Sequence, residues 1–237
     1  MKLKMYTAIL LLLSSLNVFA VQNIALDKTR IIYMPKEKNV ITVYNKSESP
    51  FLVQAKIKFN KNNNVSENSL EPGIAIPPLF RVEPDNKFTT QIMINGDKLP
   101  DDRESLLHLY ILSIPSLEKK EEENKNNSIS IASESVLKVF YRPSQIDKKD
   151  EDDVLNNLSF KYKDNNLIIE NTSPYYITFS KIILDKEKIA LDYDNSMISP
   201  FSSMKYHTKY ASTKIMSLSV ISDNGDVKNK EYKNEIK

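Results

Sequence analysis

Apolar residues in this chain recur at every second position and not at helical spacing. Phe51, Val53, Ala55, Ile57 and Phe59 alternate with Leu52, Gln54, Lys56 and Lys58, which gives an extended segment one core face and one largely solvated face. The same period marks Val40 to Tyr44 and Phe88 to Ile94, the second of which ends at Asn95-Gly96. Asn45 to Pro50, between the first two, is a connection rich in turn formers. Leu106 to Ile114 is apolar on both parities and bounded by Pro100 and Pro115, the pattern of an inner strand. Ile129 to Tyr141 is a long extended candidate. Short strands with turn signals about every ten residues predict antiparallel sandwiches.

Polar segments divide these strands into two blocks. Ser116 to Ser128 is almost entirely Lys, Glu, Asn and Ser and reads as a loop. Ser144 to Asp153, after Arg142-Pro143, is acidic and polar and reads as a hinge. A second β-rich block follows, with candidate strands at Leu158 to Tyr162, Leu167 to Glu170, Tyr175 to Leu184, Ser202 to Tyr206 and Lys214 to Ser222. The reading is all-β: two tandem sandwich domains at 21–146 and 155–237 with a linker at 147–154. Lys228 to Lys237 is polar and expected to fray.

The first twenty residues carry Lys2 and Lys4, an apolar run from Ala8 to Leu13, and Val18-Phe19-Ala20 before Val21. This is the pattern of a secretory signal peptide cleaved after Ala20. The run is too short to span a bilayer comfortably and Asn17 interrupts it. The working protein is therefore expected outside the cytoplasm. Losing Lys2 and Lys4 with the leader leaves 31 basic residues against 31 acidic ones, so no bulk charge draws the mature chain to nucleic acid.

Composition removes several function classes. The chain has no cysteine, which excludes thiol catalysis, iron–sulfur ligation and cysteine zinc sites. His108 and His207 are its only histidines, and each reads as a strand residue before a metal ligand. Three glycines, Gly73, Gly96 and Gly225, cannot build a phosphate-cradling loop. No Gly-x-Ser-x-Gly or His-Glu-x-x-His pattern occurs. The runs Glu121-Glu122-Glu123 and Asp150-Glu151-Asp152-Asp153 read as solvated loops. Neither enzyme activity nor a cofactor is expected.

The order of several segments resembles the periplasmic chaperones of the chaperone/usher pathway, the PapD-like family, over essentially the whole mature chain. These segments are Leu26-Asp27-Lys28-Thr29-Arg30-Ile31-Ile32-Tyr33, Pro50 to Ala55, Pro77-Pro78-Leu79-Phe80-Arg81-Val82-Glu83-Pro84, Leu99 to Ser105, Leu137 to Pro143, Asn171 to Thr178 and Ser199-Pro200-Phe201. The resemblance implies two immunoglobulin-like domains in a boomerang arrangement. It also implies a function: the chaperone binds a fimbrial subunit that lacks a strand, lends it one by donor-strand complementation, and delivers it to an outer-membrane usher.

Carried onto this sequence, the lending strand is Ile129 to Val139, with Ile129, Ile131 and Ser133 on the parity that enters the subunit's groove. Ser133 stands where the family often has a large apolar residue. By periodicity alone Ile129 and Ile131 would face their own core. Arg30 and Lys138 match the family's two cations for the subunit's C-terminal carboxylate, although by themselves they would read as surface charges. Glu104, Arg142 and Asp223 match a charge cluster between the domains. The exposed lending strand invites self-association of the free chaperone. Against this stands the alternative of a secreted fimbrial subunit or adhesin on the same sandwich.

Overall fold

The computed structural model describes residues 23–59, 71–116, 131–146, 150–185, 187–209 and 215–233. The leader, Ile129 and most of the polar loop after Ser116 lie outside the described residues. The first block is a sandwich of two sheets. One has the order β1 (Ile24–Leu26), β3 (Val40–Asn45), β7 (Lys87–Ile94), β5 (Gly73–Ile76). The other has the order β2 (Arg30–Tyr33), β9 (Ser133–Tyr141), β8 (Ser105–Pro115), β4 (Phe51–Phe59), β6 (Leu79–Val82).

Alternation seats this core as the sequence predicts. Phe51, Val53, Ala55 and Ile57 are buried on β4, and Leu107, Leu109 and Ile111 of the neighbouring β8 lie beside them on the same inner face of the sheet. The two apolar parities of β8 have separate fates. The odd positions fill the sandwich, whereas Leu106 and His108 are buried outside that cluster, on the face toward the second domain. Sequence reading passed over β5 and β6, four residues each and interrupted by Pro77-Pro78; the Ile76–Pro77 peptide is cis. The lending-strand candidate, expected from Ile129, is assigned as strand only from Ser133 among the described residues.

Between β1 and β2 the chain changes sheets, and Asp27 makes the crossing. Its backbone N–H donates to Thr42 O at 3.1 Å and its carboxylate accepts the Thr42 N–H at 2.9 Å, which keeps both backbones satisfied where the ladder breaks. The chain then enters the second sheet parallel to β9, with Arg30 opposite Lys138 and Tyr33 opposite Tyr141.

The second block packs β10 (Ser159–Lys163), β11 (Asn166–Asn171) and β15 (Ser202–His207) against a sheet ordered β13 (Glu187–Lys188), β12 (Ile177–Leu184), β16 (Ile215–Ile221), β17 (Val227–Lys233), with β14 (Met197–Ile198) also on β12. Two features depart from the sequence reading. Part of the polar hinge is a helix, α1 (Glu151–Asn156), capped by the Asp150 carboxylate, which accepts the Asp152 and Asp153 N–H groups, and its Val154 and Leu155 join the second core. The tail expected to fray from Lys228 is instead β17 as far as Lys233. Tyr232 holds it: its ring is buried edge-on to Phe160, and its hydroxyl donates to Leu155 O at 2.6 Å. One large buried side chain anchors a strand otherwise too polar to be recognised.

Candidate functional site

β9 carries two faces with different tasks. Leu137, Val139 and Tyr141 point into the first core. Lys138 and Phe140 lie on the alternate parity, toward the second domain, and Arg142 follows them at the end of the strand. Two groups of charges form on that side.

Glu104, Arg142 and Asp223 make the first. The Arg142 Nε and Nη2 donate to Glu104 Oε1 at 2.9 and 2.7 Å, and Nη2 also donates to Asp223 Oδ2 at 2.8 Å. The Arg142 and Glu104 side chains are 3% and 2% exposed, so this is an ion pair withdrawn from water. Glu104 Oε2 accepts the Tyr176 N–H at 2.8 Å, and Glu104 N–H donates to Pro174 O at 2.9 Å. Burial alone would lower the Arg142 pKa, but Glu104 and Asp223 outweigh it and raise it. Phe140 meets Tyr176 with ring centroids 5.5 Å apart. The cluster therefore joins β8 and β9 of the first domain to the Pro174–Tyr176 turn and the segment after β16 in the second.

Arg30 and Lys138 make the second group, brought side by side by the parallel pairing of β2 with β9. Arg30 Nη1 donates to Ile221 O at 3.2 Å and its guanidinium lies 5.7 Å from the Phe140 ring centroid. Its Nε is buried and has no hydrogen-bond partner among the described residues. Lys138 Nζ lies 3.7 Å from Met197 Sδ and 5.7 Å from the Tyr193 ring centroid. Neither cation is in a salt bridge among the described residues. Burial lowers both pKa values; nearby Asp223, Glu151 and Glu104 pull Arg30 back up, whereas the Arg30 charge depresses Lys138 further. Two half-buried cations thus stand in one row, with a guanidinium N–H unpaired among the described residues, an arrangement whose desolvation no salt bridge there offsets.

The lane occupied by β2 ends at this pair. β2 covers β9 only from Lys138 to Tyr141, and among the described residues nothing pairs with Ser133 to Leu137 on that side. That stretch of edge presents free N–H and C=O groups. Ser133 is exposed, and Ile131, just before the strand, is 77% exposed. A cavity of about 1020 Å³ also opens between the domains; it borders Arg30, Arg142 and Asp223 but not Lys138, and acidic Asp27, Glu37 and Asp150 line it. Its mixed charge makes it a poorer anion site than the edge side. Among the described residues no cluster suits a metal ion.

Known proteins resemble this chain over most of its length. The family model for the pili and flagellar-assembly chaperone PapD N-terminal domain matches residues 23–147, and that for the pili assembly chaperone PapD C-terminal domain matches 153–232. The chaperone protein CssC of Escherichia coli is 29% identical over 92% of this chain and 93% of its own length. The chaperone protein HifB of Haemophilus influenzae is 34% identical over 79% of this chain and 77% of its own. Among solved structures, the Salmonella enterica SafB chaperone in complex with the SafA pilin superposes with a TM-score of 0.74 at 25% identity, covering 91% of this chain and 98% of that one. These matches support a chaperone and not the fimbrial subunit or adhesin considered as the alternative. With both domains matched in order, the chain belongs to the PapD-like family of pilus-assembly chaperones.

Proposed function

We propose that this chaperone captures fimbrial subunits in the periplasm by adding a strand to them along the free edge of β9, holds their C-terminal carboxylate at Arg30 and Lys138, and passes them to an outer-membrane usher. The observation that carries this reading is the lane beside β9. A guest strand running parallel to β9, in line with β2, would pair with Ser133 to Leu137 and bring its chain terminus to the two cations. Main-chain hydrogen bonds would supply affinity without demanding a sequence, and Ile131 an apolar contact. Ile129 would add a second on the same parity, although it lies outside the described residues. Ser133 fills little of any pocket, so the grip there would be shallow.

The paired cations supply what a buried carboxylate requires: neutralising charge and directed N–H groups, including the unpaired Arg30 Nε. Glu104, Arg142 and Asp223 then fix the angle at which the second domain frames the anchor, a structural and not a binding role. No nucleotide or cofactor enters this scheme. Release would follow when the lent strand is exchanged for a better-fitting one from the next subunit, so the same free edge that captures also invites pairing of free chaperones.

The test is capture of subunits from periplasm in cells coexpressing the host's fimbrial subunit genes, with tagged wild-type protein beside Arg30→Ala and Lys138→Ala. Wild type should retain a small β-rich secreted subunit, identifiable by mass spectrometry, and each variant should lose it while remaining folded by circular dichroism. Retention at wild-type levels by both variants would remove the anchor from the scheme.

A further inference from the structure

The row of the sheet that contains Arg30 and Lys138 continues across β8. Lys138 stands opposite Arg30 on one side and opposite His108 on the other, with Lys58 beyond. His108 is 5% exposed and faces away from the first core, because its neighbours Leu107 and Leu109 occupy that core. Its Nε2 lies 3.4 Å from the hydroxyl of Tyr193, which reaches over from the second domain. Imidazole and Lys138 ammonium thus flank one phenol, whose ring centroid is 5.7 Å from Nζ.

The charges around this ring are one-sided. Lys138 faces it from β9 and Lys58 from β4, the latter drawn over the Tyr110 ring at 4.7 Å. Arg30 lies one strand farther, and Tyr110 on β8 is edge-on to the imidazole at 6.4 Å. From the second domain comes the Tyr193 phenol. In that turn the Asp192 carboxylate accepts the Asp194 and Asn195 N–H groups at 2.9 Å, and Asp194 itself is exposed.

We propose that His108 is a third arm of the carboxylate anchor, closing it on the side opposite Arg30, with Tyr193 holding its ring in place. The inference rests on the reading of Arg30 and Lys138 as that anchor. A carboxylate offers about four lone-pair directions, and an imidazole N–H from the adjoining strand serves one that the other two cations leave open. In the free protein, burial and then the Lys138 charge hold the His108 pKa below the usual histidine value. A bound carboxylate offsets that charge and favours the imidazolium, so binding takes up a proton. Affinity therefore rises as pH falls through the pKa of the complex and levels off below that of the free protein.

The probe is a fluorescently labelled, histidine-free peptide of alternating apolar residues with a free C-terminal carboxylate, beside its amidated twin, bound to wild type and to His108→Gln. Wild type should bind the free-acid peptide about threefold or more tighter at pH 5.5 than at pH 8.0, corresponding to about half a pKa unit of linkage. In His108→Gln the ratio should fall to about one on the same scale. A wild-type ratio near one, or an unchanged ratio in the variant, would overturn the role of His108 while leaving the anchor intact. Equal affinity for acid and amide peptides would overturn the anchor itself. A variant-free readout comes from ¹⁵N spectra of the chain's two histidines. At fixed pH 6.5 the His108 signal should move toward the imidazolium position with the acid peptide and stay put with the amide; movement with neither peptide would also overturn the proposal.

Discussion

The two groups of charge beside β9 use the same residue types and reach opposite ends. Arg142 is almost fully buried yet holds a carboxylate from each domain, and its charge is favoured where it lies. Arg30 is less buried, but among the described residues it bonds a single carbonyl oxygen and leaves its Nε unpaired, and it has Lys138 for a neighbour. Removal from water is costly for any ion, and what separates the clusters is whether the fold supplies the counter-charge itself. A cluster that is complete internally is mechanical. One that is cationic, half-buried and without a salt bridge among the described residues is the kind that an anion from outside could complete, which is the role proposed for it.

Breaking the complete cluster should give the largest effect. Arg142→Met leaves the Glu104 carboxylate buried without its cation, and should lower the unfolding free energy by about 3–5 kcal/mol, read from urea melts. Adding Glu104→Gln to Arg142→Met should recover at least about 1 kcal/mol of that loss. A double variant as unstable as the single one would mean that Glu104 does not depend on Arg142.

The incomplete cluster should respond differently. Lys138→Met removes a cation that burial and Arg30 already disfavour, so stability should change by less than about 1 kcal/mol even though subunit capture is lost. A loss comparable to that of Arg142→Met would erase the distinction between the clusters.

Protonation of His108 offers a gentler probe. Its folded pKa lies below the ordinary, unfolded value of 6.5, so its contribution is present above that value and is lost as pH falls through the folded pKa. Urea midpoints of the free chaperone measured from pH 7 to pH 5 should decline more steeply for wild type than for His108→Phe. The smallest effect is expected at Thr178, whose buried Oγ1 has no partner among the described residues. Thr178→Val should raise stability by up to about 1 kcal/mol by removing an unpaid desolvation cost without involving any charge.

Much of the fold was legible because strand alternation is a local property. Val40 to Tyr44, Phe51 to Phe59 and Phe88 to Ile94 each show their core face within a few residues, Leu106 to Ile114 shows an inner strand by being apolar on both parities, and each is a strand. β17 was not legible, because Val227 and Tyr232 are the only large apolar side chains in a strand of lysines, asparagine and glutamate, and its register on β16 supplies the rest. α1 hid in the same way, its buried Val154 and Leu155 following an acidic run that reads as solvent-facing.

The candidate site divides along the same line. The family resemblance pointed to Arg30, Lys138, Glu104, Arg142 and Asp223, and the absence of cysteine with only two histidines argued against thiol, iron–sulfur and multi-histidine metal chemistry. His108 carried a signal of its own, a titratable residue inside an apolar run, but nothing nearby in the chain indicated its company. Tyr193 carried none.

Most of the longer strands, the two-domain plan and the family were determined by the sequence itself, since alternation, turn residues and motif order are written within short stretches of chain. Tertiary structure alone decided that Arg30, Lys138 and His108 share one row, that Tyr193 crosses from the other domain to cover it, and that among the described residues the edge beyond has no partner. The row depends on two registers, a parallel pairing of segments more than a hundred residues apart and the antiparallel pairing of β8 with β9, and Tyr193 reaches it only through the packing of the second domain. Such registers are set by how two whole sheets pack and twist together, and no local pattern encodes them.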